Sequence, residues 1–116
     1  MNAVLGRRGE DVACSWLEQQ GLVVLSRNWR CPEGELDVIA TDGATLVVCE
    51  VKSRTDTSRG DPLEAVDQPK LDRLRRATAR WLCEHHVGWV PIRYDVIALE
   101  WPPEGQVRLR HVRGVM

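Results

Sequence analysis

The sequence predicts one α/β domain, in which a mixed β-sheet built around a central β-hairpin is covered by two helices. Two runs of strand-forming residues flank an Asp-Gly dipeptide, which is a strong turn signal. Apolar residues recur at helical spacing before and after these runs. The 116 residues can bury a real core, and no repeat suggests a second domain. The predicted order over residues 1–116 is α-β-β-β-α-β-β.

The first predicted element is a helix from about Gly6 to Gln20, which Gly21 ends in the usual C-terminal position. Its apolar stripe comprises Val12, Ala13, Trp16 and Leu17. Glu10 borders this stripe because it shares a helix face with Ala13 and Leu17. Two interpretations of Glu10 stay open: a glutamate that favours the helix dipole, or a residue that reaches a site on the sheet.

A strand is predicted from Leu22 to Arg30, and Pro32-Glu33-Gly34 forms the turn that follows it. Two arginines of this strand, Arg27 and Arg30, are candidates for phosphate contacts. Solvated charges near the end of a strand explain them equally well.

The central hairpin joins the run 34–40 to the run 44–52. If Asp42 and Gly43 are the two turn residues, Thr41 lies opposite Ala44. This register predicts Asp37 opposite Val48, and Glu35 opposite Glu50. Cross-strand partners share a face, as alternate residues of one strand do. One face of the hairpin then carries four charged side chains, which are Glu35, Asp37, Glu50 and Lys52.

Charged residues at the end of a buried strand need partners. Leu46 to Cys49 is apolar on both faces, which is typical of a central strand, and Glu50 and Lys52 follow it closely. A buried carboxylate must be paired, hydrated or bound to a metal. Asp37 and Glu50 beside a lysine suit a divalent cation and an activated water.

The segment 53–60 is polar, which suits a loop that closes over a substrate or a plain surface connection. Asp61-Pro62-Leu63-Glu64 is a helix-start pattern, and a clear helix runs from Lys70 to about His86. The helix carries four arginines that are most simply solvated surface charges, namely Arg73, Arg75, Arg76 and Arg80.

Two strands complete the predicted sheet. Ile92 to Trp101 is apolar on both faces, and the alternating Val107 to Val112 indicates an edge strand. Asp95 interrupts the first of them and is expected to pair with Arg93 or another buried cation.

Composition limits the function classes. The net charge is −1 and the pI is about 6.3, whereas proteins that coat nucleic acid are usually basic. A nuclease need not be basic, because its charge can be local. No signal peptide is predicted, and no stretch approaches the ~20 apolar residues of a membrane span. The four cysteines form no CxxC pair, so we expect reduced thiols, no zinc site and a cytoplasmic protein.

Asp37, followed thirteen positions later by Glu50-Val51-Lys52, resembles the D…ExK signature of the PD-(D/E)xK nucleases. The wider pattern is similar to the YraN-type bacterial family, which is described as predicted endonucleases. The segments that carry this resemblance are Gly9-Glu10-Asp11-Val12-Ala13, Gly21 through Arg27-Asn28-Trp29-Arg30, Gly34-Glu35-Leu36-Asp37, Glu50-Val51-Lys52-Ser53-Arg54, Lys70 and Arg93-Tyr94-Asp95-Val96-Ile97. The resemblance implies the restriction-endonuclease-like fold, which archaeal Holliday-junction resolvases share.

The resemblance also implies an activity, that of a Mg²⁺- or Mn²⁺-dependent endonuclease acting on nucleic acid; DNA is the favoured substrate, and the sequence does not decide between DNA and RNA. Asp37 and Glu50 would hold the metal ion, with the Val51 carbonyl as a further ligand. Lys52 would orient the attacking water or stabilise charge on the phosphate. Glu10 would be an auxiliary acidic residue of the site.

Nucleic-acid contacts are expected from segments beside the site. Lys70 is favoured by the resemblance, and Arg54 and Arg59 follow the strand that carries the motif, with Arg27 and Arg30 as further candidates. Glu35 lies on the right face, but its predicted position opposite Glu50 counts against a role in the site, because like charges directly opposed across strands are unfavourable. Related resolvases act as dimers, which implies a homodimer without indicating its surface.

Two other functions compete with a nuclease. A nucleic-acid-binding module could keep this fold with little chemistry, although such a module does not need carboxylates close to phosphates. A structural protein could instead use the acidic residues in ion pairs with Lys52 and nearby arginines. Cleavage of a panel of branched, flapped, single- and double-stranded substrates discriminates among the three.

Overall fold

A computed structural model describes residues 3–55 and 67–115, with side chains from residue 7 onward. The elements are α1 (Ala3–Gln19), β1 (Val23–Cys31), β2 (Gly34–Thr41), β3 (Leu46–Arg54), α2 (Gln68–Glu84), β4 (Ile92–Glu100) and β5 (Arg108–Val112). They follow the predicted order, and the helix-start pattern at 61–64 lies outside the described residues. None of the helices in this part of the chain is long and apolar enough to cross a membrane.

The five strands form one mixed sheet in the order β1-β2-β3-β4-β5. Neighbouring strands are antiparallel except for β3 and β4, which are parallel. The connection between β3 and β4 contains α2, as parallel neighbours require a long crossover. The predicted mixed α/β architecture is therefore confirmed.

The two helices cover opposite faces of this sheet. On the α1 face the buried core comprises Ala13, Cys14, Leu17, Val38, Ala40, Val47, Cys49, Ile97 and Leu99. On the α2 face it comprises Leu36, Ile39, Leu46, Val48, Leu74, Ala77, Trp81 and Tyr94. Successive residues of β3 alternate between these two cores, which explains why its sequence is apolar at every position from Leu46 to Cys49.

The hairpin between β2 and β3 has a longer loop than predicted. Thr41 pairs with Leu46, so residues 42–45 form the loop. The Asp42 side chain accepts the N–H groups of Ala44 at 2.8 Å and Thr45 at 2.7 Å, a local pattern that competes with a two-residue turn. Gly43 has φ 98°, a left-handed conformation that favours glycine.

The predicted partners of the acidic residues are consequently wrong. Val38, not Asp37, is the last β2 residue paired with β3, and its partner is Cys49. In this register Glu50 lies beside Asp37 rather than beside Glu35. The register differs from the prediction by two residues, so the predicted face of Glu50 and Lys52 does not change.

Strand β2 changes its alternation at Asp37. Leu36 packs in the core on the α2 face and Val38 in the core on the α1 face, although residues two apart normally share a face. On the neighbouring strand Asn28, between the partners of Leu36 and Val38, has φ 51° and a left-handed backbone. Asp37 therefore stands where the sheet twists and where pairing with β3 ends, within reach of both helices.

Candidate active site

Three carboxylates meet at the end of the β2–β3 ladder. Glu10 of α1 and Glu35 and Asp37 of β2 each offer an oxygen, and these oxygens lie within 4.8 Å of one another. Gly9 lets α1 come this close to the sheet, since a Cβ at this position would collide with the Ser53 hydroxyl of β3. The structure thus brings Glu10 to the predicted site.

Asp37 has surroundings that oppose its ionisation. Its Oδ2 accepts one hydrogen bond, from the Val51 N–H at 2.9 Å. Burial and the charge of Glu50 raise the pKa of Asp37 to about 7, against the lowering effect of the Val51 bond. Glu35 and Glu10 raise this pKa further. A cation placed here would favour the ionised form that the surroundings now oppose.

Glu50 has a different environment, because the two lysines of the chain converge on it. Lys70 Nζ lies 2.8 Å and Lys52 Nζ 3.2 Å from the same oxygen, Oε1. Glu50 is only 8% exposed, so these contacts form in a largely desolvated place. Desolvation favours the neutral form of Lys70, but its bond to Glu50 outweighs this and raises the Lys70 pKa.

A cavity of about 190 Å³ opens beside these groups. Its strand-side walls come from the turn at Glu33, from β2 and from Glu50. The opposite wall belongs to α2 and consists of Lys70, Arg73, Leu74 and Ala77. Acidic groups that could hold a cation and basic groups that could hold a phosphate therefore face one cavity.

Comparison with known sequences places the chain in a family. The sequence profile described as uncharacterised protein family UPF0102 matches residues 9–99. The chain belongs to this family. The resemblance to an uncharacterised bacterial family is thereby confirmed.

Individual relatives cover nearly the whole chain. A UPF0102 protein of Beutenbergia cavernae is 52% identical over 111 residues, covering 96% of this chain and 94% of the relative. One of Frankia alni is 51% identical over 110 residues, covering 95% and 92%. Among solved structures, the Holliday junction resolvase Hjc of Archaeoglobus fulgidus has a TM-score of 0.46 and 15% identity, covering 90% of this chain and 74% of that one.

In this UPF0102 chain the remaining predicted contacts are scattered. Arg27 forms an ion pair with Asp11 on α1. The side chain of Arg30 is 79% exposed, with its Nε 3.8 Å from Glu35. Arg54 is the last residue of β3, and Arg59 lies outside the described residues. Of the predicted basic residues that the structure describes, Lys70 alone lines the cavity.

Three charged residues that line the cavity, Glu33, Glu35 and Arg73, were not among the predicted site residues. The predicted position of Glu35 opposite Glu50 counted against it, and the observed register removes that objection. Arg73 was taken as a solvated charge, although it follows Lys70 by three positions and so shares its helix face.

The turn before β2 is fixed to α2 by an ion pair that no local pattern predicts. Arg80 Nη2 and Nε lie 2.6 Å and 2.7 Å from Glu33 Oε1, and the two residues are 47 positions apart. Arg80 is exposed, as expected, but it also forms this ion pair, which was not predicted. This contact holds the wall of the cavity that carries Glu33 and Glu35 against the helix.

A second buried acid, Asp95 on β4, lies in another part of the sheet. Arg93 donates two hydrogen bonds to it, both at 2.9 Å, which confirms the predicted pair. His111 Nε2 and the Gly114 N–H contribute bonds of 2.8 Å and 3.1 Å. Trp16 Nε1 donates to His111 Nδ1 at 3.0 Å, so the His111 proton resides on Nε2 and points to Asp95.

Proposed function

We propose that this protein is a Mg²⁺- or Mn²⁺-dependent nuclease that hydrolyses phosphodiester bonds in DNA. The observation that carries the proposal is the convergence of four carboxylates and both lysines of the chain at the end of β3. A purely structural ion-pair cluster would balance these charges. Here burial, and then the charge of Glu50, raise the pKa of Asp37 to about 7, and the hydrogen bond from the Val51 N–H offsets only part of this.

The donor set fits the proposed ion. Carboxylate oxygens are the ligands that Mg²⁺ and Mn²⁺ prefer. Asp37, Glu10 and Glu35 already lie close enough to share one cation, and Glu50 is the fourth carboxylate of the site. A divalent ion supplies charge neutralisation on the phosphate and lowers the pKa of water at the site. The Val51 carbonyl as a further ligand stays a prediction.

Lys52 and Lys70, which both contact Glu50, supply positive charge at the site. An ammonium group is a compact point charge, which suits a phosphate oxygen that gains negative charge during hydrolysis. Lys52 is assigned the catalytic role because it lies on the same strand face as Glu50, and Lys70 is assigned to the phosphate. Glu50 holds both ammonium groups in place.

The test is cleavage of single-stranded, duplex, flapped and four-way DNA, with RNA of matching sequence, in Mg²⁺, Mn²⁺ and chelator. Asp37→Asn, Glu50→Gln and Lys52→Ala should each reduce cleavage on the order of 10²–10⁴-fold. Double variants should lose little more, since these groups act as a unit. Glu104→Gln, an exposed glutamate far along the chain, is the control and should cleave like the wild type.

Three outcomes would count against this assignment. Wild-type cleavage by Lys52→Ala would remove Lys52 from the mechanism. Cleavage of RNA but not of matched DNA would overturn the substrate. Retained binding without cleavage of any substrate by the wild type would instead establish a nucleic-acid-binding module.

A further inference from the structure

The α2 wall of the cavity contains a cation that the proposed mechanism does not use. Glu33 is paired with Arg80, and Glu50 with Lys52 and Lys70. Arg73 lines the same cavity, yet it forms no ion pair with any residue of 3–55 or 67–115. Its guanidinium donors are therefore available to a ligand in the cavity.

The chemistry of the site indicates an anion as that ligand. A phosphate that approaches Asp37 and Glu35 is repelled unless cations stand nearby, and the net charge of −1 gives no general attraction. Lys70 and Arg73 occupy consecutive turns of α2, where side chains start about 5–6 Å apart. That distance is close to the spacing of successive phosphates along one strand. A guanidinium can also hold a phosphate through two parallel hydrogen bonds.

We propose that Arg73 binds the phosphate next to the one that is cleaved, so that one nucleic-acid strand runs along the first two turns of α2. This inference rests on the proposed nuclease function and adds a substrate-binding residue to it. Lys70 contacts the scissile phosphate, and Arg73 fixes the register of the strand. The ion pair between Glu33 and Arg80 holds the strand-side wall of the cavity against this helix.

Arg76 provides a matched control on the same helix. It is an exposed arginine three positions after Arg73, and it is absent from the cavity wall. Arg73→Ala and Arg76→Ala therefore each remove one arginine charge from the same helix, but only Arg73 lines the cavity. Both residues are exposed, so both variants should keep the melting temperature of the wild type.

The experiment measures binding of labelled single-stranded and duplex DNA by fluorescence anisotropy in chelator, over a range of salt, with the matched RNA as a further probe. Arg73→Ala should weaken binding about tenfold, as for the loss of a charged hydrogen bond. It should also reduce the steepness of the plot of log K against log salt concentration by ~0.7 for a single strand. Arg76→Ala should change neither, and Arg73→Lys should recover the slope but only part of the affinity. In cleavage assays Arg73→Ala should raise KM and leave kcat nearly unchanged.

The outcomes separate this inference from the proposed function. If the wild type cleaves DNA but the two alanine variants bind alike, Arg73 has no special contact and the inference is overturned alone. If Arg73→Ala lowers kcat without raising KM, a binding role is likewise overturned. If the wild type neither binds nor cleaves any probe, the nuclease function and the Arg73 site fall together.

Discussion

Two aspartates in the same sheet, the half-buried Asp37 and the buried Asp95, have opposite electrostatic surroundings. Burial raises the pKa of Asp95, but the hydrogen bonds from Arg93, His111 and Gly114 outweigh it and the pKa is lowered. Burial also raises the pKa of Asp37, and here a carboxylate neighbour adds to the effect, giving about 7. Burial raises the pKa of both residues, so the hydrogen-bond and charged partners of each aspartate decide the direction of its shift.

The contrast extends to what each aspartate holds together. Asp95 joins β4 to β5 and to the chain after it, and through His111 and Trp16 to α1. Ligand atoms of Cys49, Asp95 and His111 lie within 4.8 Å of one another, yet the aspartate and histidine are already bonded within the protein. Such a group stabilises the fold, whereas the carboxylates around Asp37 oppose its ionisation.

The largest expected difference is in stability. Asp95→Asn replaces a carboxylate oxygen, which accepts hydrogen bonds, by an amide N–H₂ group that faces other donors. His111 cannot turn Nε2 into an acceptor, because Trp16 donates to Nδ1 and so keeps the proton on Nε2. We expect a loss of about 3 kcal/mol, as for removal of one partner of a buried ion pair. Asp37→Asn should instead gain about 1 kcal/mol in chelator at pH 8, since it removes one of several repelling charges. Denaturant unfolding measures both, and a less stable Asp37→Asn would make Asp37 a structural partner like Asp95.

The second difference is the response to metal. The folded wild type alone presents the assembled site, so Mn²⁺ at a hundred times its Kd should add ~2.7 kcal/mol to the free energy of unfolding. Asp37→Asn should lose most of this gain, and Glu104→Gln should keep it. Melting curves in chelator and in Mn²⁺ decide the matter. An equal gain in wild type and Asp37→Asn would place the metal elsewhere in the chain.

The sequence was sufficient to predict which charged side chains share one face of the sheet, for a physical reason. Side chains of a strand alternate with a period of two, so the face shared by Asp37, Glu50 and Lys52 was predictable even though the loop length was not. The loop depends on the hydrogen bonds that the Asp42 carboxylate accepts from the Ala44 and Thr45 N–H groups, which a turn dipeptide does not specify. An error of one residue rather than two would have put Asp37 on the wrong face.

The partners that distinguish the two aspartates were harder to foresee. Arg93 lies two positions from Asp95 on one strand and was anticipated, whereas His111 is 16 positions away on a different strand. The convergence of Lys70 on Glu50 depends on how α2 docks against the sheet. Contacts between separate elements leave no periodic pattern in a single sequence, so local reasoning finds the charged groups but not their pairing.

The pH dependence should differ in sign between the two aspartates. From its usual value of 3.8 up to about 7, folded Asp37 keeps a proton that the unfolded chain has released. Its contribution to stability therefore falls as pH rises through this window. Asp95, with a lowered pKa, stabilises above its usual value and loses this contribution as pH falls. The stability advantage of Asp37→Asn in chelator, about 1 kcal/mol at pH 8, should shrink toward zero near pH 4. A constant advantage across this range would mean that Asp37 does not titrate in it.

The smallest expected effect tests how α1 is placed against the site. Gly9→Ala puts a methyl group against the Ser53 hydroxyl, with Leu99 Cδ1 at 3.3 Å on another side. Overpacking opposes the gain in helix propensity, and we expect a net loss of about 1 kcal/mol. Displacement of α1 should also carry Glu10 away from Asp37 and reduce the stabilisation by Mn²⁺.

Ser53→Ala is the matched rescue for this change. The Ser53 hydroxyl is buried and lacks a hydrogen-bond partner among the described residues, so its removal sacrifices no bond there. The double variant Gly9→Ala, Ser53→Ala should then recover both the stability and the Mn²⁺ response of the wild type. Recovery of stability without the metal response would show that Glu10 lies close to Asp37 without contributing to metal binding. No loss in Gly9→Ala itself would mean that α1 can shift without disturbing the site.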